Sequence, residues 1–157
     1  MKEISFTIYG TPIGKGRPKF SKVGNFVRTY TDNKTMSYEN KVISAFKEQQ
    51  KNTDFEMLKP NERVIASIVA YYQMPKSCYV YHKKTNSLDL TKKGEKMVSG
   101  KTRPLLKPDL DNIAKVCLDA LNGVAYYDDS QVIRLVVEKY YSEEPKVEIY
   151  LKGEENE

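Results

Sequence analysis

Acidic residues are concentrated in one stretch of this chain, KPDLDNIAKVCLDALNGVAYYDDSQV, residues 107–132. The aspartates in it are Asp109, Asp111, Asp119, Asp128 and Asp129. Carboxylates this close together repel each other unless a cation lies between them. A divalent metal ion, which prefers oxygen ligands, would supply that cation. The stretch therefore predicts a metal site.

The first two aspartates lie on either side of the predicted start of a helix. Pro108 has no N–H to donate and biases Lys107 towards extended geometry, so we expect the helix to begin near Asp111. Residues two apart on an extended segment point to the same side, which would let Asp109 and Asp111 share a metal ion. A helix cap at Asp111 is the plainer explanation, but a cap accounts for only one carboxylate.

Lys115 follows Asp111 by four residues, and Asp119 follows Lys115 by the same interval. Residues at this spacing share one face of a helix, so Lys115 could neutralise a carboxylate or the charge that develops on a phosphate. The plainer alternative is an ordinary ion pair within the helix. Asp128 and Asp129 follow an aromatic pair and precede a strand, where a turn by itself could also use them.

Periodicity in the rest of the chain predicts an α+β fold. Strands are indicated at residues 4–10, 63–75, 131–142 and 146–152, and the last two are expected to form a closing antiparallel hairpin. One helix is expected from a cap at Thr31 or Asp32 to about Lys51, and a second ends at Asn122 and Gly123. We expect a single domain, residues 1–157, in which a mixed or antiparallel sheet of about four strands packs against two or three helices. The acidic tail from about residue 152 is expected to be flexible.

The charge of the chain favours an anionic partner. The formal net charge is +5, but residues 1–137 carry 23 basic against 14 acidic residues, a net +9. No amphipathic basic helix for a membrane is apparent, so nucleic acid is the first candidate. Charge that serves only solubility is the alternative.

A basic, glycine-rich loop or irregular hairpin follows the first predicted strand, in GTPIGKGRPKFSKVGNFVRTYTD, residues 10–32. It has neither the spacing of a P-loop nor that of a dinucleotide-binding turn. Its glycines let the loop approach a phosphate backbone, or simply make turns. The predicted DNA-contacting cations are Lys15, Arg17, Lys19, Lys22 and Arg28, with Lys107 beside the aspartates. Aromatic neighbours that could pack against unstacked bases are Phe20, Phe26 and Tyr30.

Several classes of protein are disfavoured. The two cysteines, Cys78 and Cys117, are far apart, and with His82 as the one histidine they cannot complete a zinc set. No apolar run is long enough to cross a bilayer, and the start of the chain lacks a signal peptide. We therefore expect a cytoplasmic protein with no membrane partner.

The combination of KPDLDN, Lys115, DALNG and DDSQV with the upstream GKGRPKF resembles the RusA family of Holliday junction resolvases, which are bacterial and phage-encoded endonucleases. The resemblance implies a homodimer that binds four-way junction DNA and cuts two opposed strands symmetrically with Mg²⁺, for which Mn²⁺ would substitute. It implies that Asp109 and Asp111 are the paired catalytic aspartates, Lys115 the catalytic lysine and Asp129 the third acid, with Asp128 a weaker metal ligand. The polar segment from residue 76 to 103 departs from the family pattern.

Two other classes of function remain open on the sequence alone. A junction-binding module without catalysis would need the basic loop but not the aspartates. A metal-dependent phosphatase or glycosyltransferase acting on a small molecule would need the aspartates but not a surface for DNA.

Overall fold

The computed structural model describes residues 2–157, which form a four-stranded sheet, two small hairpins and three α-helices. In chain order the elements are β1 (Glu3–Tyr9), β2 (Lys19–Val23), β3 (Phe26–Tyr30), α1 (Asn33–Lys51), β4 (Glu62–Gln73), β5 (Tyr79–His82), β6 (Ser87–Leu90), α2 (Lys92–Val98), α3 (Leu110–Leu121), β7 (Val132–Ser142) and β8 (Lys146–Glu155). The main sheet has the order β1-β8-β4-β7, with β4 and β7 parallel and the other neighbours antiparallel. The predicted single α+β domain with a mixed sheet is confirmed.

The predicted antiparallel hairpin between the last two strands is wrong. β4 lies between β7 and β8 and pairs with both of them. Residues 143–145 carry the chain across the end of β4, where Gln73 Nε2 donates to Glu143 O at 2.7 Å and Met74 N donates to Ser142 O at 3.0 Å. Two strand spacings amount to about 10 Å, which three extended residues can span.

The side-chain pattern of β4 explains why this strand is central. Every second side chain from Val64 to Tyr72 is buried, and those between them are half-buried. If β7 paired with β8, β4 would be an edge strand, and its apolar side chains would have a neighbouring strand on one side only. Between β7 and β8, these side chains are covered on both sides. Burial over the whole fold therefore decides that β7 and β8 pair with β4, although they are neighbours in the chain.

Helix α1 packs on one face of the sheet. It begins after Asp32, whose Oδ1 accepts a hydrogen bond from Thr35 N at 2.7 Å, so the predicted cap is at Asp32. Its apolar stripe brings Tyr38, Val42 and Phe46 into the core.

Helix α3 packs beside α1 in the same layer. It buries an apolar stripe of Ile113, Ala114, Val116, Cys117, Ala120 and Leu121. The helix ends at Leu121, and Gly123 then takes a left-handed backbone conformation with φ of +74°.

The opposite face of the sheet is more polar. On it, Glu154 forms ion pairs with Arg63 at 3.1 Å and Lys152 at 3.0 Å, and Lys146 lies 3.5 Å from Glu148. These partly exposed pairs contribute little to stability individually, so the packing on the helical face dominates.

The acidic tail is part of the sheet as far as Glu155, contrary to the prediction that it is flexible from about residue 152. The end of β8 pairs with β4, and Gly153 lies so close to Leu58 that an added Cβ would be 2.3 Å from Leu58 Cδ2. Backbone pairing and this close contact fix the end of the strand, and composition does not reveal them.

The polar segment from residue 76 to 103 forms the β5–β6 hairpin and α2 around a small second core of Met74, Cys78 and Met97. Arg103 joins it to the main sheet, because its Nη1 donates to Lys139 O at 3.0 Å and its guanidinium lies 3.7 Å from the centre of the Tyr140 ring. None of the helices in residues 2–157 is long and apolar enough to cross a lipid bilayer.

We predict that Phe46→Ala lowers the free energy of unfolding by about 3–5 kcal/mol, because it opens a cavity in the core. Phe46 is fully buried, with edge-on contacts to Phe6 and Phe55 at 5.6 and 5.8 Å between ring centres. Urea unfolding followed by circular dichroism measures the change. The control is Met36→Ala on the exposed side of α1, for which we expect a change of about 0.5 kcal/mol or less. Equal effects of the two substitutions would contradict the assignment of the core.

Candidate active site

The glycine loop, residues 10–18, packs against the first turns of two helices. Lys15 N donates to Asn112 O of α3 at 2.9 Å, and Gly16 N donates to Thr35 Oγ1 of α1 at 3.0 Å. These hydrogen bonds hold the loop beside the two helix N-termini, where unpaired backbone N–H groups favour negative charge.

Gly14 and Gly16 are required by this close approach. A Cβ on Gly14 would lie 2.9 Å from the Cβ atoms of both Asn112 and Pro108. A Cβ on Gly16 would lie 2.0 Å from the capping carboxylate of Asp32. The sequence left open whether these glycines serve a phosphate backbone or turns, but the structure shows that they let the loop reach the two helices.

Lys15 is an anchor for the loop. Its Nζ lies 2.6 Å from Glu39 Oε1 and 3.2 Å from Asp119 Oδ2, so it links α1 to α3. Partial burial lowers the pKa of Lys15, but the hydrogen bonds to Glu39 and Asp119 outweigh that effect and hold the pKa above its usual value. Contact of Lys15 with DNA stays a prediction, whereas its ion pairs with Glu39 and Asp119 are present in the structure.

A groove of about 490 Å³ lies between the glycine loop and the N-termini of α1 and α3. Lys34 and Lys107 provide cations on its walls, and Asp109 and Asn112 line it as well. Sequence reasoning assigned no role to Lys34 or Asn112. The position of Asn112 in the KPDLDN motif could have indicated its place in the site, whereas no sequence motif includes Lys34.

Asp109 and Asp111 flank the start of α3. The helix begins at Leu110, one residue before the predicted start, and Asp109 is the extended residue that precedes it. Asp109 makes no capping hydrogen bond through its side chain, and within residues 2–157 neither carboxylate forms an ion pair. Asp111 lies in the first helical turn, so both carboxylates are at the positive end of the helix dipole.

Tyr72 fixes the segment that carries Asp109. Its hydroxyl donates a hydrogen bond to Pro108 O. Burial raises the pKa of Tyr72 to about 12, and the negative charge of Asp109 contributes to the rise. The central strand β4 therefore supports the backbone next to Asp109 and places a neutral donor there at physiological pH.

Asp119, on the C-terminal half of α3, and Asp129, in the turn before β7, form a second acidic group. Both lie near the buried Tyr126, whose hydroxyl donates to Leu118 O at 2.7 Å. Burial raises the pKa of Tyr126, and the charges of Asp129 and then Asp119 raise it further. The negative charges of both carboxylates therefore act on this one tyrosine.

Lys115 lies on α3 between the two acidic groups. Its Nζ is 3.4 Å from Asp119 Oδ2, and its side chain is largely exposed. The spacing placed Lys115 one turn from both Asp111 and Asp119, and the structure pairs it with Asp119. The other anchor of Asp119 is Lys15, so Lys115 can leave this ion pair without leaving Asp119 unneutralised.

Asp128 serves the turn that precedes β7. Its carboxylate accepts hydrogen bonds from Ser130 Oγ at 2.5 Å and from Asn122 Nδ2 at 3.3 Å, and these contacts, with Ser130 first, lower its pKa. Asp128 therefore caps the 3-10 turn Asp129–Gln131. The neighbouring Asp129 stays the predicted third acid.

Gln131 makes four hydrogen bonds, two within this turn and two that fasten the turn to the segment at the start of β4. Its Oε1 accepts from the backbone N–H groups of Tyr127 and Asp128 at 2.9 and 3.0 Å. Its Nε2 donates to Lys59 O and Glu62 O at 2.7 and 2.8 Å. Sequence reasoning quoted this glutamine in DDSQV but assigned it no role, because its partners Lys59 and Glu62 are about 70 residues earlier in the chain.

The predicted metal ligands do not form one preformed cluster. Within residues 2–157, no three Asp, Glu, His or Cys side chains converge closely enough to hold a metal ion by themselves. Mg²⁺ in nucleotide-processing sites is usually held by one or two carboxylates, with waters and substrate phosphates completing its ligand set. The unpaired carboxylates of Asp109 and Asp111 fit that requirement.

The β2–β3 hairpin extends the glycine loop. Arg17, Lys19, Lys22 and Arg28 are all exposed on or just before it. Its register places Lys19 opposite Tyr30 and Arg28 two positions further along the same face. The aromatic side chains Phe20, Phe26 and Tyr30 are 71%, 81% and 49% exposed, so they do not anchor the hairpin in the core.

Comparison with known proteins identifies the family. A family model described as Endodeoxyribonuclease RusA matches residues 9–152, nearly the whole chain. The chain belongs to the RusA family. It is also 38% identical over 149 residues to the uncharacterized protein YqaN of Bacillus subtilis (strain 168), an alignment that covers 95% of each chain.

The RusA family comprises endodeoxyribonucleases that resolve Holliday junctions and act in DNA recombination and repair. The resemblance to the RusA family, which the aspartate motifs indicated, is therefore confirmed, and the match extends over almost the full length of the chain. The activity of this RusA-family protein is hydrolysis of phosphodiester bonds in junction DNA.

We predict that Gln131→Leu reduces the rate of junction cleavage by about 10-fold or more, because the DDSQ turn loses its attachment to β4 and Asp129 is no longer held in place. The rate is measured on a synthetic four-way junction under single-turnover conditions. The control is Gln49→Leu, a glutamine on α1 away from the turn, which should leave the rate unchanged. A wild-type rate for Gln131→Leu, in protein with a native circular dichroism spectrum, would contradict the positioning role.

Proposed function

We propose that this RusA-family protein is a Mg²⁺-dependent homodimer that makes paired, symmetric cuts in opposed strands of a four-way DNA junction. The observation that carries the assignment is the pair of carboxylates at Asp109 and Asp111, which lie beside a cation-lined groove and make no ion pair within residues 2–157. Carboxylates left without protein partners at a helix N-terminus are suited to bind a cation together with a phosphate.

Asp109, Asp111 and Asp129 would hold the metal ion, with Asp128 as a weaker contributor. When bound, Mg²⁺ supplies an activated water near neutral pH and counter-charge for the phosphorane-like transition state and the departing 3′ oxygen. Mn²⁺, which also accepts oxygen ligands, is expected to substitute.

Lys115 is proposed to stabilise negative charge on the scissile phosphate or to position the attacking water. It lies one helical turn from Asp111, and its exposed ammonium is free to turn towards a bound phosphate because Lys15 also neutralises Asp119. Lys34, Lys107 and the N–H groups at the starts of α1 and α3 are proposed to hold the DNA backbone in the groove.

The β2–β3 hairpin is proposed to orient the junction. Its exposed cations fit phosphate contacts, and its exposed aromatic side chains fit stacking on bases that are unpaired at the crossover. Two cuts related by a two-fold axis require two active sites with the same relation, which is the reason to propose a homodimer.

We predict that Asp111→Asn and Asp129→Asn each reduce the cleavage rate by about 100-fold or more, because the metal ion loses a charged ligand and the transition state loses charge stabilisation. The assay uses a synthetic four-way junction with Mg²⁺ and maps the nicks on all four strands by denaturing gel. Binding in the absence of metal should be retained or strengthened, because removing a carboxylate lessens the repulsion of DNA.

The matched control is Asp89→Asn, an exposed aspartate that pairs with His82 on the β5–β6 hairpin, and it should cut at the wild-type rate. Wild-type cleavage by Asp111→Asn or Asp129→Asn would contradict the assigned site. Nicks on a single strand without a symmetric partner would contradict paired cleavage. Full junction binding with no cleavage by the wild-type protein at any Mg²⁺ or Mn²⁺ concentration would favour a non-catalytic binding module.

We also predict that the double substitution Lys19→Ala and Arg28→Ala weakens junction binding and reduces the slope of log K against log salt by about 2, since each lost phosphate contact removes about one released counterion. Fluorescence anisotropy between about 50 and 200 mM salt gives both quantities.

The control pair, Lys47→Ala and Lys51→Ala, carries the same loss of charge at the far end of α1 from the glycine loop. It should change the slope much less. An affinity that does not vary with salt for the wild-type protein would argue against a DNA substrate and in favour of a small-molecule enzyme.

A further inference from the structure

Strand β7 leaves an apolar edge of the main sheet open. It pairs with β4 on one side, and no strand in residues 2–157 pairs with its other side. Ile133, Leu135 and Val136 on this strand are 60%, 40% and 41% exposed. Leu106 is also exposed and lies beside Lys139, whose Nζ donates to Leu106 O at 2.6 Å. An exposed apolar edge strand is a template for pairing with another chain.

The hydrogen bonds around β7 show which of its backbone groups are free. Ser142 O accepts a hydrogen bond from Met74 N, which follows β4, so the even-numbered residues direct their backbone groups towards β4. Lys139 O accepts one from Arg103 on the opposite side, so odd-numbered residues face outwards. N–H and C=O of one strand residue point to the same side. Leu135 and Val137 therefore present their backbone groups to the open edge.

The open length of this edge is short and has defined limits. Arg103 covers it at Lys139, and a register shift in the pairing with β4 interrupts its regular geometry between Val132 and Arg134. Residues 134–138 are left as the regular, uncovered part. Their sequence, RLVVE, has Arg134 at one end and Glu138 at the other.

The charges at these two ends point to a particular partner. Arg134 and Glu138 form no ion pair within residues 2–157. If two copies of this segment pair antiparallel about a two-fold axis at Val136, Arg134 of one copy lies directly opposite Glu138 of the other, twice by symmetry. Leu135 and Val137 then exchange backbone hydrogen bonds with each other across the axis.

We propose that the β7 edge, residues 134–138 with the neighbouring exposed Leu106, is the surface through which two copies of this chain associate, with Val136 on the two-fold axis. The result is a continuous eight-stranded sheet with apolar and charged cross-strand pairs matched. Parallel pairing in the same register would bring Arg134 against Arg134 and Glu138 against Glu138 instead. This interface rests on the proposed function, because the second subunit supplies the active site for the second cut.

A charge-swap series tests the interface without the nuclease assay. Arg134→Glu alone and Glu138→Arg alone each place like charges opposite each other, and we expect either to raise the dimer dissociation constant by about 10-fold or more. The double variant, R134E with E138R, restores opposite charges and should recover the wild-type constant. Sedimentation equilibrium over a range of protein concentrations measures all four proteins. A monomeric wild-type protein, unchanged single variants, or a double variant without recovery would each overturn the proposal.

A cross-linking experiment tests the position of the axis. Val136→Cys would place two thiols at a non-hydrogen-bonded antiparallel pair, where the Cα separation of about 4.5 Å lies within the range for disulfides. Mild oxidation should give a covalent dimer on a non-reducing gel, whereas the control Leu88→Cys, which is more exposed but lies on the β5–β6 hairpin, should not. The native cysteines are buried and free, so they do not compete. Equal cross-linking of the two variants would overturn the proposed axis.

The two proposals can fail separately. Loss of cleavage in Asp111→Asn together with unchanged association in the charge-swap variants would retain the nuclease site and reject this interface. Association through residues 134–138 in a protein that cuts no junction would retain the interface and reject the proposed catalytic function.

Discussion

The candidate site depends on one close approach, that of the glycine loop to the first turns of α1 and α3. Gly14 and Gly16 permit it because a Cβ at either position would collide with a helix residue. Lys15 then holds the loop in place through Glu39 on one helix and Asp119 on the other. The cations of the loop and the hairpin are thereby brought to the same side of the molecule as the aspartates of α3, which a freely moving loop would not achieve.

Strand β4 is the second constraint, because it supports both parts of the site. Near the end of the strand, Tyr72 holds the backbone of Pro108 next to Asp109. At its beginning, Glu62 accepts a hydrogen bond from Gln131 and so fixes the turn that carries Asp129. The single strand β4 therefore positions both Asp109, just before α3, and Asp129, in the turn before β7. The same central position of β4 places β7 at the edge of the sheet, where a second copy of the chain is proposed to bind.

The division of the carboxylates into two groups has an electrostatic reason. Several aspartates gathered in one preformed cluster would repel each other in the absence of a metal ion, and the fold would bear that cost. In this protein two lysines neutralise Asp119, and hydrogen bonds from Ser130 and Asn122 stabilise the charged carboxylate of Asp128. Asp109 and Asp111 remain without such partners, which is the pattern expected of groups whose cation arrives with the substrate.

The sequence by itself determined helices α1 and α3, the four main strands, the α+β class and the family, because periodicity, capping and the aspartate motifs are properties of residues close together in the chain. It placed the start of α3 within one residue of the observed start, Leu110. Tertiary structure decided that β4 separates β7 from β8, that the end of β8 is ordered into the sheet, that Lys15 pairs with Asp119, and that Gln131 holds the DDSQ turn. Each of these joins residues far apart in sequence, and their pairing is fixed by burial and hydrogen-bond satisfaction over the whole fold, which no local pattern contains.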